Sequence, residues 1–255
     1  MASTSVCVIV MGPYRSGTSL SAQILSALGV DFGSPDAFQL AADRYNPGGY
    51  FQRRDVVEAN VGLIEAVSEG IASPADPEAI QEAASPRWCT DVDLAWTENT
   101  PFYGLKDPRF CATLLTWVAS GKLPADSLRI VRVVRDIDAI ARSSVAHREV
   151  GSFCDFDLAR AVDMARVYDA RAGWHIAELG LPAIEVRYER LLSDPPRVVS
   201  ELAEFVGQSD PRAIRRARLA VGKGRALARH YSNKLAHPSL ALATARKTLR
   251  MWLRV

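Results

Sequence analysis

The chain has 255 residues, 48% hydrophobic and 24% charged, with a formal net charge of +2. That is enough apolar chain to bury a full core within a single domain. The composition excludes a disordered chain, no apolar run approaches membrane-spanning length, and the near-neutral balance gives no reason to expect a nucleic-acid partner. In chain order, residues 5–11 read as an apolar, β-branched strand, and a helix follows over 17–28. Residues 31–52 are loop-like, with Pro35, Pro47, Gly48 and Gly49. Val56, Val57, Asn60, Leu63, Ile64 and Val67 recur at helical spacing over 53–69. Pro74, Pro77, Pro86 and Pro101 break 70–101 into short helices and loops. A strand at 102–106 precedes a helix at 109–119, a strand at 128–134 precedes a helix at 136–147, and a long helix at 155–178 precedes a strand at 183–188. Strands alternating with helices imply an α/β fold, a parallel sheet flanked by helices, with ligands at the carboxyl ends of the strands.

Between the first strand and helix lies Gly12-Pro13-Tyr14-Arg15-Ser16-Gly17-Thr18-Ser19. A glycine loop running from a strand into a helix gathers backbone N–H groups and a helix N-terminus around one anion. A nucleoside-triphosphate loop would read G-x-x-x-x-G-K-[ST]. Here Gly12 and Gly17 have that spacing, but Thr18 stands at the lysine position and the cation is Arg15, inside the loop. Such a loop suits a phosphate-like anion without the lysine that reaches the β/γ-phosphates of ATP.

This stretch resembles the 5′-phosphosulfate loop of sulfotransferases that use 3′-phosphoadenosine 5′-phosphosulfate (PAPS), in which Lys or Arg precedes S-G-T. A second stretch agrees. Arg135 ends the strand at 128–134, and Ser143 lies eight positions on, two helical turns into the next helix. An arginine and a serine so placed resemble the family's 3′-phosphate site. Tyr103-Gly104-Leu105-Lys106-Asp107-Pro108-Arg109 is similar to the K-D-P strand end of tyrosylprotein and related bacterial sulfotransferases. Asn46-Pro47-Gly48-Gly49-Tyr50-Phe51 is similar to their N-P-x-G-[YHF]-F stretch. Val186-Arg187-Tyr188-Glu189-Arg190-Leu191-Leu192 with Asp194-Pro195 is similar to the family's late Y-E-x-L…D-P, whose tyrosine lies near the adenine. The resemblance runs over about residues 5 to 207 and departs at Gln52, where related bacterial sequences usually carry glutamate.

The resemblance implies a sulfotransferase fold, a P-loop-like α/β domain, with residues 5–207 as core and 208–255 as a basic helical C-terminal segment of the same domain. It implies sulfuryl transfer from PAPS to a hydroxyl or similar acceptor on a small molecule or glycan, with release of 3′,5′-ADP (PAP). The expected cofactor contacts are Gly12, Arg15, Ser16, Gly17, Thr18, Ser19, Arg135, Ser143 and Tyr188. Arg15 is expected at the leaving oxygen and Lys106 at the sulfuryl oxygens. Asp36, then Asp107, then Asp55 are the candidates for the base that takes the acceptor proton, with His147 as a further one. Phe38, Tyr45, Tyr50, Phe51, Trp88 and Trp96 are candidates for the acceptor pocket, although each also suits ordinary packing. A kinase would share the opening loop, but the missing lysine and the Arg135/Ser143 pair argue against it. A non-catalytic nucleotide-binding protein on the same fold is the other alternative.

From Glu201 to Val255 twelve Lys/Arg stand against three Asp/Glu. Val221-Gly222-Lys223-Gly224-Arg225 reads as a strap over the 3′-phosphate, with Lys223 and Arg225 as its cations, although its order is not the family's R-K-G. A solvated basic face is the alternative. Leu240–Val255 reads as an amphipathic helix that docks on the core, with membrane contact as the alternative. Cys7, Cys89, Cys111 and Cys154 are scattered without ligand spacing, which suits reduced core thiols and no metal. The N-terminus lacks a basic n-region and a long enough apolar run for a signal peptide, so the chain is expected in the cytoplasm.

Overall fold

The computed structural model describes residues 5–43, 46, 48–97 and 100–221. Strand β1 (Val6–Met11) is buried along nearly its whole length because it lies inside the sheet and has helices on both faces. It pairs in parallel with β2 (Phe102–Lys106) on one side and β3 (Leu128–Val134) on the other, and β3 pairs in parallel with β4 (Ala183–Arg187). The order is β2-β1-β3-β4. The chain leaves β1 toward β2 and leaves β3 toward β4, in opposite directions, so a crevice opens between the carboxyl ends of β1 and β3. The register sets Val10 opposite Lys106 and Met11 opposite Arg132. The last residue of β2 and the first residues after β1 and β3 therefore meet at one edge.

Alternation along the strands divides the core in two. Ile9, Met11, Leu105 and Ile130 face one side, where α4 (Phe110–Ala119) and α7 (Leu158–Leu179) contribute Leu114, Trp117, Met164 and Tyr168. Val8, Val10, Val131 and Val133 face the other, against Ile24 and Leu25 of α1 (Thr18–Ala27) and Leu202 of α9 (Pro195–Val206). The remaining helices are α2 (Arg54–Glu65), α3 (Pro77–Ala83), α5 (Ile137–Val145), α6 (Arg148–Phe153) and α8 (Tyr188–Ser193). Residues 211–221 are also helical.

The expected strands are all present, each within a residue or so of its expected bounds. The region between β3 and β4 differs from expectation. Asp136 caps α5 by accepting from the Ala139 N–H, and that helix ends at Val145. His147 then caps the six-residue α6, a turn with positive φ at Asp155 and Phe156 follows, and Asp157 caps α7. The loop at 31–52 is folded back on the body. Asp31 bridges to Tyr103, Phe38 bridges to Arg53, and the Gln39 N–H donates to the Gln52 carbonyl. The strap residues Lys223 and Arg225, the helix expected over Leu240–Val255, and Tyr45 lie outside the described residues.

Candidate active site

Gly12 and Gly17 explain the loop that follows β1. A Cβ on Gly12 would stand 2.2 Å from the Val133 carbonyl oxygen, so the loop can lie against β3 only with glycine there. Gly17 has φ +109, and its Cβ would stand 2.5 Å from the Tyr188 ring. Arg15 adopts φ +66, a left-handed conformation uncommon for a non-glycine residue and concentrated at functional sites. The first N–H groups of α1 have no carbonyl partner within the helix, and no side chain caps them.

The loop borders a cavity of about 830 Å³ at the carboxyl edge of the sheet. Arg15, Gly17, Thr18, Ser19, Lys106, Arg135, Ser143 and Tyr188 all line it. The resemblance set those residues in four separate segments, and the fold brings them to one cavity. Arg15 Nε donates to Ser143 Oγ at 3.2 Å. Arg135 donates to the Arg15 carbonyl at 2.9 Å and its guanidinium stacks 4.4 Å from the Tyr188 ring centroid. Arg15 thus stands between the loop and the Arg135/Ser143 pair. Ser16 is fully buried beneath the loop, and its N–H closes a turn onto the Pro13 carbonyl.

Lys106 is almost fully buried, and its ammonium donates to Ser19 Oγ at 3.3 Å and Gln52 Oε1 at 3.1 Å. Burial, with Arg109 and Arg15 nearby, pushes its pKa down to about 7 against the opposing pull of Asp107 and Glu149. Burial also lowers the Arg15 pKa, with the Arg135 charge adding to the effect. The site is therefore a concentration of cations held out of water, which an anion would relieve.

The acids expected as bases are elsewhere. Asp36 is exposed in a short 3₁₀ turn off the cavity. Asp55 binds Arg53 and the Asp93 N–H. Asp107 has no exposure and is held from three directions, by the Arg109 N–H and guanidinium on one oxygen and by Asn60 on the other. None of the three lines the cavity, whereas His147 does. His147 Nδ1 accepts from the Val150 N–H at 3.3 Å, so the neutral ring carries its proton on Nε2. Burial and the Arg15 charge hold its pKa down at about 4. Of the candidate aromatics that are described, Tyr50 alone lines the cavity. Phe38 and Phe51 pack on each other, Trp88 packs on Trp117, and Trp96 stacks with Arg53 and Tyr103.

Comparison with protein-family models matches residues 7–233 to the sulfotransferase domain. The chain belongs to that family. Solved structures similar to this sulfotransferase include the sulfotransferase domain of the Synechococcus PCC 7002 olefin synthase, 18% identical over 83% of this chain and 76% of that one, with a TM-score of 0.48. A sulfotransferase domain from the curacin biosynthetic pathway is 16% identical over 82% and 76%, with a TM-score of 0.44. Sulfotransferase STF1 from Mycobacterium tuberculosis H37Rv is 13% identical over 84% and 71%, with a TM-score of 0.43. None of the curated proteins compared matches this sulfotransferase. No helix among its described residues is long and apolar enough to cross a membrane.

The cavity wall also holds residues that the sequence reading missed. Gln23, Gln39, Arg109, Arg142 and Glu149 all line it. Arg142 and Glu149 fall in or beside the helices that follow Arg135. A search of the segment just past that arginine for charged residues was the available signal.

Proposed function

We propose that this sulfotransferase moves a sulfuryl group from PAPS to a hydroxyl or similar acceptor on a small molecule or glycan, releasing PAP. The observation that carries this reading is the convergence of a lysine-free glycine loop with Lys106, Arg135, Ser143 and Tyr188 on one cavity wall. The α1 N-terminus and loop amides suit the 5′-phosphate. Arg135 and Ser143 suit the 3′-phosphate that distinguishes PAPS from ATP, and Tyr188 offers a ring face beside both. The sulfur–oxygen bond to the 5′-phosphate breaks, a bond from sulfur to the acceptor oxygen forms, and the acceptor proton leaves. Negative charge grows on the phosphate oxygen as the first bond breaks. Arg15 suits that oxygen and Lys106 suits the sulfuryl oxygens, and preorganised cations in a dry site are worth far more than in water. No group of three or more His, Cys, Asp or Glu arranged to hold a metal occurs among the described residues.

The test is transfer of ³⁵S from labelled PAPS to a panel of phenols and alcohols, run with and without EDTA. Label should pass to an acceptor at the same rate in both. A strict magnesium requirement, with ATP consumed in place of PAPS, would overturn the reading in favour of a kinase.

A further inference from the structure

Sulfuryl transfer to a hydroxyl requires a group that takes the acceptor proton, and a positioned side chain contributes typically 10²–10⁴-fold. We infer that Glu149 is that base, acting from the first turn of α6 into the cavity that Gln52 and Lys106 also line. This inference rests on the sulfuryl-transfer reading. Its ground is the chemistry of the wall. Among the described residues lining the cavity, Glu149 is the sole carboxylate. Residues 222–255 contain no Asp or Glu, and neither do positions 44, 45 and 47. Outside the described residues the single acid is Glu98.

Other proton acceptors are engaged. Asp43 receives the Tyr50 hydroxyl on one oxygen and the Asn46 N–H on the other. His147 Nδ1 is taken by the Val150 N–H, which leaves Nε2 as a donor. Gln52 occupies the position where the family resemblance predicts glutamate, and an amide cannot take a proton at neutral pH. Its oxygen instead accepts from Lys106. A carboxylate there would neutralise Lys106, whereas the amide leaves that cation's charge for the sulfuryl oxygens. Glu149 lines the cavity and is exposed, and its carboxylate forms no hydrogen bond or ion pair with the described residues. It lies near enough to Lys106 to favour that residue's charged form. The step balances simply. The acceptor O–H gives its proton to the Glu149 carboxylate as its oxygen bonds to sulfur, and the 5′-phosphate keeps the electron pair of the broken bond.

The experiment compares wild type and Glu149→Gln with PAPS and four acceptors: phenol, benzyl alcohol, water and 4-nitrophenol, the last largely ionised at pH 8. Glu149→Gln should lower kcat by about 100-fold or more with acceptors that must lose a proton. With 4-nitrophenol the loss should be under about 3-fold, because no base is needed. Calorimetric affinity for PAP should stay within about 2-fold, since Glu149 touches no expected phosphate contact. Normal turnover of phenol by Glu149→Gln, or equal losses with phenol and 4-nitrophenol, would overturn the assignment and leave sulfuryl transfer standing. A wild-type chain that binds PAP but passes label to none of the four would overturn the sulfuryl-transfer reading and this assignment with it.

Discussion

Arg15 and Arg135 are tied together by the loop, yet they should respond differently to truncation. Arg135 reaches the Arg15 carbonyl, a main-chain atom, and stacks on Tyr188. Its remaining donors are those expected at a 3′-phosphate. A charge-assisted contact of that kind is worth roughly 1.5–3 kcal/mol. Arg135→Ala should therefore weaken PAP about 10-fold or more and leave 5′-AMP nearly unchanged, read by titration of each ligand. Arg15 serves the leaving oxygen in this account and also holds Ser143. Arg15→Ala should lower kcat by about 100-fold, the scale of losing one preorganised stabiliser. Its PAP affinity should fall by less than that of Arg135→Ala. Normal turnover by Arg15→Ala would make Arg15 a structural loop residue.

Lys106 gives a pH prediction. An ammonium ordinarily stays charged to about 10.4, but burial brings Lys106 down to about 7. The charged form is the one that can hold sulfuryl oxygens. It is fully present below that value and is lost as pH rises through it. kcat/KM for PAPS, which reports the free enzyme, should therefore fall above about pH 7. Lys106→Arg keeps its charge at any accessible pH and should remove that alkaline limb at some cost in rate. A limb that persists in Lys106→Arg would assign it to another group.

At the scale of elements, the site depends on a buried polar chain that fixes the end of β2. Asn60 on α2 donates to Asp107 at 3.0 Å and accepts from Thr113 and Trp117 of α4, each at 2.7 Å. Asp107 in turn holds Arg109. The chain joins two helices to the residue beside Lys106, with every member dry. Asn60→Leu keeps the volume but strands the Asp107 oxygen and the Trp117 N–H, while Thr113 can still donate to the Arg109 carbonyl. It should cost about 2 kcal/mol or more, since each buried unsatisfied group costs about 1–3 kcal/mol, read from urea unfolding at pH 7.

The strands and the glycine loop were legible in the sequence because each rests on a local pattern, a β-branched run or a glycine spacing, whereas Lys106, Arg135 and Ser143 were singled out by the family resemblance, and all three line the cavity. The part between β3 and β4 was not. Helix α6 has six residues, too few to show a 3.6-residue period, and its cap is His147, which is not a preferred capping residue. Glu149 sits on that helix, so the carboxylate facing the cavity was the one a periodicity reading could not place. Asp36 was chosen because the family resemblance puts a carboxylate just after the first helix, and Asp107 because it stands beside Lys106. Whether a carboxylate faces a cavity or an arginine is decided by tertiary packing, as Arg109 and Asn60 do for Asp107.

Over the whole molecule, the cations at the carboxyl edge of the sheet come from the ends of three different strands and converge without a carboxylate bonded to Arg15, Lys106 or Arg135 among the described residues. A molecule built this way should prefer a ligand that offers anions at both the loop and the Arg135 side. The most direct measurement is calorimetric titration of the full chain with PAP, 5′-AMP and magnesium-ATP side by side. PAP alone carries both a 5′- and a 3′-phosphate, so it should bind at least about 10-fold more tightly than 5′-AMP, and magnesium-ATP should not compete with it at comparable concentration. Equal affinity for PAP and 5′-AMP, or tighter binding of magnesium-ATP, would contradict the account.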